Sequence, residues 1–515
     1  MREVISQKKG EFIAASAFGI LVAVLLFALR VDRMPGDSSG LVNLMATEGG
    51  PFVFWYHLGY AWLARLVQAL LAAPLELNVR ETLELLSALA AGASCTLAYV
   101  TLRRLSASIL SAALSATLMA SVVAFINHGT IIEVHTVQLA TAWAGLCLMA
   151  RAAELPLLRL FGTSLIAGLI VSTGHQTGPL LFPGLVLASI WTCGGPLSPP
   201  EQLKRFAISC AAFLCALGIS RYLTSALSPF EDLKDLSDFT KGTAMLTKGV
   251  SWQFTVFELL IPLGALSILP LATLVRRLRG QSEVWLGLVL ALVPWTFFLC
   301  FGESTEGGYF LGSSIGCVLL VSRLFERTEL PGRDRFYRGI GVCAVIVSVC
   351  VSPFFLFSGQ HGDQNQRAKE RFETVVGLLP DGGTLVTLPY AEHTLNGQKT
   401  GIKEVILCGP FRQYIKIGYV ADGAYLFLNE RLKELATQGQ TLLVDWTWDY
   451  RIFHPEPSWQ QDPTEFRTDR SAGAPLYLEE SWQPYLDAVR SGLERDWNVI
   501  EVPSAWSLFL RIERR

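Results

Sequence analysis

Residues 12–30 read FIAASAFGILVAVLLFALR, and the stretch after them, 31–37, reads VDRMPGD. The apolar run from Phe12 to Leu29 follows a basic start (Arg2, Lys8, Lys9), which is also how a signal peptide begins. Two features argue against cleavage. The run is long for a signal core and sufficient to cross a bilayer, which takes about 20 apolar residues. No small-x-small site follows it. It reads as an uncleaved first transmembrane helix with a cytoplasmic N-terminus, and that reading sets the topology of everything downstream.

Composition points the same way. Of 515 residues, 51% are hydrophobic and only 17% charged, with a mean hydropathy of +0.39. Soluble proteins carry about 25% charged residues, so the deficit indicates a membrane protein. A net charge of −2, with no block of basic residues, excludes a nucleic-acid partner. All of the ten cysteines but Cys408 lie in apolar segments, and no CxxC or Cys/His spacing occurs. That pattern supports neither a disulfide framework nor a zinc site, and the cysteines read as small packing residues.

Runs of spanning length recur at 12–30, 83–102, 106–126, 131–150, 160–174, 178–194, 206–225, 252–275, 283–301, 308–325 and 337–357. They predict about eleven transmembrane helices within a membrane domain, 1–357, whose first outer loop is 31–81. The segment 52–73, FVFWYHLGYAWLARLVQALLAA, interleaves aromatic and polar residues and contains Arg65, so it reads as an interfacial helix. Lys and Arg concentrate in cytoplasmic loops. With the N-terminus inside, the inner loops carry Arg103–Arg104, then Arg151 with Arg159, Lys204–Arg205, Arg276–Arg277 with Arg279, and the Arg323–Arg338 stretch. Counting 52–73 as a span would invert this order.

Residues 358–515 then fall outside, as a soluble extracytoplasmic α/β domain large enough for its own core. TLVTLPY (384–390) and TLLVDWTW (441–448) predict short buried strands. NERLKELATQG (429–439) and ESWQPYLDAVRSGLERDW (480–497) predict amphipathic helices. NVIEVP and SLFLRIERR predict a terminal hairpin. This domain contains no P-loop, GxGxxG or GxSxG.

The same topology gathers the His and acidic residues near the membrane on the outer side, in GDSSG, NHGTIIEVH, STGHQTGP and GESTEGGYF. Asp37 follows the Pro35-Gly36 turn and suits a helix N-cap. It equally suits a general base at the membrane surface. Glu133 and His135 stand at the mouth of a span, where an ionisable group is costly and marks function unless it is solvated at the interface. His128 lies beside them and reads as a loop residue. His175 and Gln176 occupy a Gly-bounded break that Gly and Pro alone would make into a turn. Glu303 and Glu306 offer carboxylates to a sugar or ion, though such loop pairs are more often solvated. Lys234, Lys241 and Lys248, mixed with acidic neighbours, read as a surface helix.

GDSSGLV (36–42) resembles the GDSGEL-type segment of a family of polytopic membrane proteins that includes a vertebrate protein O-mannosyltransferase, within the GT-C superfamily. Further segments match in order. NVRETLELLSALAAGASCTLAYVTLRRL (78–105) resembles the family's second span, and IIEVHTVQLATAWAGLCL (131–148) its AEVYxLN segment. STGHQTGPLLFPGLVLA (172–188) resembles its TNHxT…LLPGL segment, and LLPDGGTLVT (378–387) an LPPGAxLFT stretch. The likeness covers roughly 12–200 and that later piece.

The resemblance implies a GT-C-like membrane glycosyltransferase with a polyprenyl-phosphate sugar donor and a protein, lipid or glycan acceptor. Asp37 would be the base that deprotonates the acceptor hydroxyl, with inversion at the anomeric carbon. Glu133, His135, His175, Gln176 and Arg80 would contact substrate. The chain departs from the pattern at Gly40, where the family has Glu, and at TEGGPFVFWYH (47–57), where it has HPPGYP. Glu48 and His57 are the groups available there as replacements. The family's span-two Arg falls on Thr82, two places from Arg80, and His135 stands where the family has Tyr. No cofactor is implied with certainty, and a divalent metal has no support in the spacing. The expected location is a bacterial inner membrane. The other classes considered are a transporter or flippase, which would show repeats and polar mid-membrane breaks, and a non-catalytic membrane scaffold.

Overall fold

The computed structural model describes residues 2–30, 41–42, 45, 58–191, 197–227, 255–277, 282–301, 308–326, 331–355, 361–387, 401–406, 421–436, 441–446, 483–503 and 508–515. The chain divides into two compact units at Gly359. Asp37, Gly40, Glu48, His57, Glu303 and Glu306 lie outside the described residues, as do Lys234, Lys241 and Lys248.

The first unit is a helical bundle. Its helices are α1 (Arg2–Ala28), α2 (Leu58–Val67), α3 (Val79–Arg104), α4 (Ile109–Ser121), α5 (Val123–Thr130), α6 (His135–Met149), α7 (Leu157–Gly174), α8 (Phe182–Trp191) and α9 (Pro199–Leu227). They continue with α10 (Ala265–Arg277), α11 (Ser282–Phe301), α12 (Gly308–Ser313), α13 (Ile315–Leu324) and α14 (Pro331–Phe355). Helix lies within every expected span. Among the described residues, five helices are long and apolar enough to cross a membrane alone, or six crossings if the bent pair α4–α5 is one. The other apolar helices are shorter or broken. Large apolar side chains such as Ile20, Leu21, Val24, Ile346 and Val347 lie exposed on α1 and α14, as expected where lipid is the solvent. This is an integral membrane protein.

Helix α3 is central. It begins with a reciprocal cap: Asn78 Oδ1 accepts from Glu81 N–H at 2.9 Å, and Asn78 N–H donates to Glu81 Oε2 at 3.1 Å. Leu83, Leu86, Ala91, Cys95, Ala98 and Leu102 recur at helical spacing and are buried. Its contact with α1 is made backbone to backbone. A Cβ on Gly92 would lie 2.3 Å from the Gly19 carbonyl oxygen, and one on Gly19 would lie 2.5 Å from that of Gly92. Thr96 Oγ1 adds a hydrogen bond to Ala15 O at 3.1 Å. Apolar burial adds little between helices in lipid, so close packing of small residues is what holds such a pair.

Between α4 and α5 the chain bends by 62° at Val122, which is extended. A break of this kind frees a carbonyl that lipid cannot satisfy. Ser348 on α14 supplies the donor, its Oγ reaching Ser121 O at 2.9 Å. Helix α2 and the π-helical turn Gln68–Ala72 that follows it account for most of 52–73. Tyr60, Ala61, Ala64 and Val67 are buried on one side of α2, while Trp62, Leu63 and Leu66 are exposed on the other.

The second unit carries a five-stranded sheet in the order β2-β1-β3-β5-β4, with β1 (Thr384–Thr387), β2 (Lys403–Ile406), β3 (Leu442–Asp445), β4 (Trp497–Pro503) and β5 (Leu508–Arg514). β1 runs parallel to both β2 and β3, and β4–β5 is an antiparallel pair. Its helices are α15 (His361–Leu378), α16 (Ala421–Ala436) and α17 (Gln483–Asp496). β3 is buried along its whole length: Leu442 and Val444 join the core formed with Leu428, Leu432 and Leu493, whereas Leu443 packs with Val375 and Leu385. Burial of both faces explains the apolar run Leu442–Val444, and the buried Asp445 that ends the strand is paired with Arg371.

Tyr425 on α16 donates to the Asp496 carboxylate at the end of α17. Burial, together with this bond, pushes the Tyr425 hydroxyl up to about 12, while the bond and neighbouring Arg495 hold Asp496 below its ordinary value. The Asp496 contribution is therefore present above the ordinary carboxylate range and fades as pH falls through the lowered value. The Tyr425 contribution fades as pH rises from about 10 toward 12. Tyr425→Phe should flatten both limbs of the pH profile of amide-exchange protection in α17.

Gly92→Ile should destabilise the membrane unit by at least the roughly 1–3 kcal/mol of overpacking, because backbone rather than a flexible side chain must give way. A fall in melting temperature in detergent checks this, and an unchanged melting temperature contradicts the α1–α3 contact.

Candidate active site

The residues singled out in the 131–135 link and the 174–178 break converge where several helix ends meet. Glu133 precedes α6 and His135 opens it. His128 lies in the last turn of α5, not in a loop, and is buried. His175 follows the end of α7 and is also buried. The His135 ring centroid lies 4.9 Å from that of His128, 5.6 Å from His175 and 5.2 Å from Tyr309. His175 and Tyr309 are 5.8 Å apart. Four polar rings from four elements thus share one locus.

Glycines permit this crowding. A Cβ on Gly308 would lie 2.3 Å from Cδ2 of His135, and one on Gly312 would lie 2.4 Å from Cδ of Gln138. Gly308 and Gly312 are one turn apart on α12, so together they let it lie directly on the His135–Gln138 face of α6. Gly178 meets the Val171 carbonyl in the same way, folding the GHQTG segment (174–178) back onto α7.

His175 has a defined orientation. Its Nδ1 accepts the Thr177 backbone N–H at 3.2 Å and lies 2.7 Å from Thr177 Oγ1. That hydroxyl oxygen accepts from Gln138 Nε2 at 2.8 Å, so its own proton is directed at Nδ1. The arrangement selects the neutral tautomer with the proton on Nε2, a donor suited to an anionic oxygen. Gln176 is only half-buried, and Thr177 rather than Gln176 holds the imidazole.

Glu133 is fixed through its backbone: its N–H donates to Ser87 Oγ at 3.3 Å and its carbonyl accepts from that hydroxyl at 3.4 Å. Its Oε2 lies 3.9 Å from His135 Nε2 and accepts from Val134 N–H at 3.2 Å. Burial, with the carboxylate of Glu133 nearby, pushes the Tyr60 hydroxyl upward. One helical face below Ser87, Arg80 Nε donates to Glu84 Oε1 at 2.7 Å, with both side chains buried. Arg30 at the end of α1 reaches Glu84 at 3.3 Å and Glu81 at 3.4 Å, so two guanidiniums flank one buried carboxylate. Basic residues also mark the opposite ends of the helices, where Arg103 pairs with Glu11 and Arg104 donates to Cys147 O. The seven described cysteines without a masked side chain are all free.

Sequence reading missed Tyr60, Tyr309, Thr177, Gln138 and Arg30. A polar residue one turn into an apolar span, as Gln138 is after His135, was the available signal for one of them.

The fold is of the GT-C type, shared with two solved structures at low sequence identity. The ArnT structure from Cupriavidus metallidurans bound to undecaprenyl phosphate aligns over 96% of this chain and 97% of its own, with a TM-score of 0.54 and 12% identity. An oligosaccharyltransferase from Archaeoglobus fulgidus, in complex with Zn and sulfate, aligns over 98% of this chain and 73% of its own, with a TM-score of 0.52 and 12% identity. No family model and no curated relative matches the sequence.

Thr177→Val removes the acceptor for Gln138 and the hydroxyl donor to His175. Leaving a buried amide unsatisfied costs about 1–3 kcal/mol, so the melting temperature should fall, while Thr177→Ser should restore it. Equal stability of the two variants would contradict the relay.

Proposed function

We propose that this protein transfers a sugar from a polyprenyl-phosphate donor to an acceptor hydroxyl at the outer face of the membrane. The observation that carries the reading is the convergence of Glu133, His135, His175 and Tyr309 at the helix ends of a GT-C fold. A polyprenyl phosphate bound to a neighbour of the same fold supports the donor class. Positive-inside bias supports the orientation, with the cluster on the outer side of a bacterial inner membrane and the C-terminal domain extracytoplasmic.

In this reading the acceptor oxygen attacks the anomeric carbon as the bond from that carbon to the phosphate oxygen breaks, with inversion. The acceptor proton passes to Asp37, and the lipid leaves as polyprenyl phosphate. Base assistance of this type contributes about 10²–10⁴ in rate. Negative charge develops on the leaving phosphate and is stabilised by donors already aimed at it. The Nε2 proton of His175 serves this purpose, and Arg80 is the cation assigned to the same phosphate. Gln176, Glu48 and His57 complete the set of groups proposed to line the sugar and acceptor side.

Native mass spectrometry of the detergent-purified protein should retain undecaprenyl phosphate. His175→Ala should weaken that retention, and Asp37→Asn should retain the lipid while losing transfer. Lipid translocation in liposomes without sugar transfer would instead assign the protein to the transporters.

A further inference from the structure

The cluster holds more than hydrogen-bond donors. His128, Glu133 and His135 each offer one ligand atom, and these three atoms lie within 4.8 Å of one another. They come from two segments: the last turn of α5, and the i and i+2 positions of the link into α6. A tetrahedral zinc site with bonds of about 2.0–2.1 Å separates its ligand atoms by about 3.3 Å. Glu133 Oε2 and His135 Nε2 are already at 3.9 Å, within about 1 Å of that separation. The backbone of Glu133 is itself pinned by Ser87. Gly308 bears on the same point, because a Cβ there would lie 2.5 Å from His135 Nε2. Glycine is what lets α12 approach that nitrogen so closely.

We propose that His128, Glu133 and His135 form a three-ligand site for a divalent first-row metal ion, zinc before manganese, whose open position takes an oxygen of the donor phosphate. Two imidazoles with one carboxylate favour such ions over magnesium or calcium, which prefer oxygen-only sets. Three protein ligands leave a fourth position for water or substrate. The carboxylate cancels one of the two cationic charges, so the site retains a net positive charge to meet an anionic phosphate oxygen. His175 and Tyr309, whose rings lie 5.6 and 5.2 Å from that of His135, border it. The cation site stands on these residues alone, and only the phosphate oxygen rests on the proposed donor.

The test uses the full chain, tag-free, in detergent. After chelation, equilibration with zinc chloride or manganese chloride and desalting, elemental analysis should find about one metal ion retained per chain. Its melting temperature should rise with the metal. His128→Ala and His135→Ala should each lose both effects. If either histidine variant does not fold, Glu133→Gln, which preserves shape and the acceptor for Val134 N–H, should weaken retention at least about tenfold. Absence of retained metal, or retention equal in wild type and variants, overturns the site. Undecaprenyl phosphate binding that is equal with and without metal overturns the phosphate contact alone. Metal and lipid both bound with no sugar transfer counts against the proposed reaction and leaves the cation site standing.

Discussion

The approach of Gly19 to Gly92 fixes the register of α1 against α3, and the polar end of the bundle depends on that register. With the two backbones in contact, Leu26 packs where a Cβ on Gly129 would sit, and Arg30 arrives beside Glu84. A slip of one helical turn moves α1 by about 5.4 Å, enough to part Arg30 from Glu84. Glu84 would then lose one of the two guanidiniums that flank it, in surroundings where a buried charge is tolerated through its partners. The same helix face carries Ser87, which holds the Glu133 backbone. One contact between small residues thus reaches the candidate site through consecutive turns of α3.

The bundle was legible because its signals are local. Apolar run length and basic loops depend on adjacent residues, and the structure has helix in each of those runs. In the second unit, the alternation in NVIEVP and SLFLRIERR was sufficient to define the β4–β5 pair. β2 was not visible, because KEVI offers four residues with two charges and no periodicity. The α4–α5 bend was equally hidden: nothing near Val122 breaks a helix, and the Ser348 hydroxyl that makes the break tolerable is far away in sequence.

The site was half legible for the same reason. Glu133, His135 and His175 stood out as ionisable groups at the mouths of spans, where a charge must have a reason. Tyr60, Thr177 and Tyr309 are ordinary residues in sequence and acquire meaning only from what folds onto them. Gly308 and Gly312 illustrate this well. In the sequence they stand at the head of the apolar run 308–325, and in the fold they are the gap into which His135 and Gln138 fit. Asp37 carries the resemblance and lies outside the described residues, so its role rests on sequence and on the reaction alone.

The departure at position 135 gains a physical context here. Where the resembled family has Tyr, this chain has an imidazole, which adds a second titratable nitrogen base beside His128 and a carboxylate. Buried polar groups are retained where their surroundings fit them. Three separate elements fit this imidazole: α12 omits a Cβ against it, α5 presents His128 edge-on at 4.9 Å, and the link preceding α6 places Glu133 at 3.9 Å. A ring accommodated from three directions is a built feature of the bundle. Replacing it would disturb α5 and α12 as well as α6, which makes position 135 the point where packing and chemistry are hardest to separate.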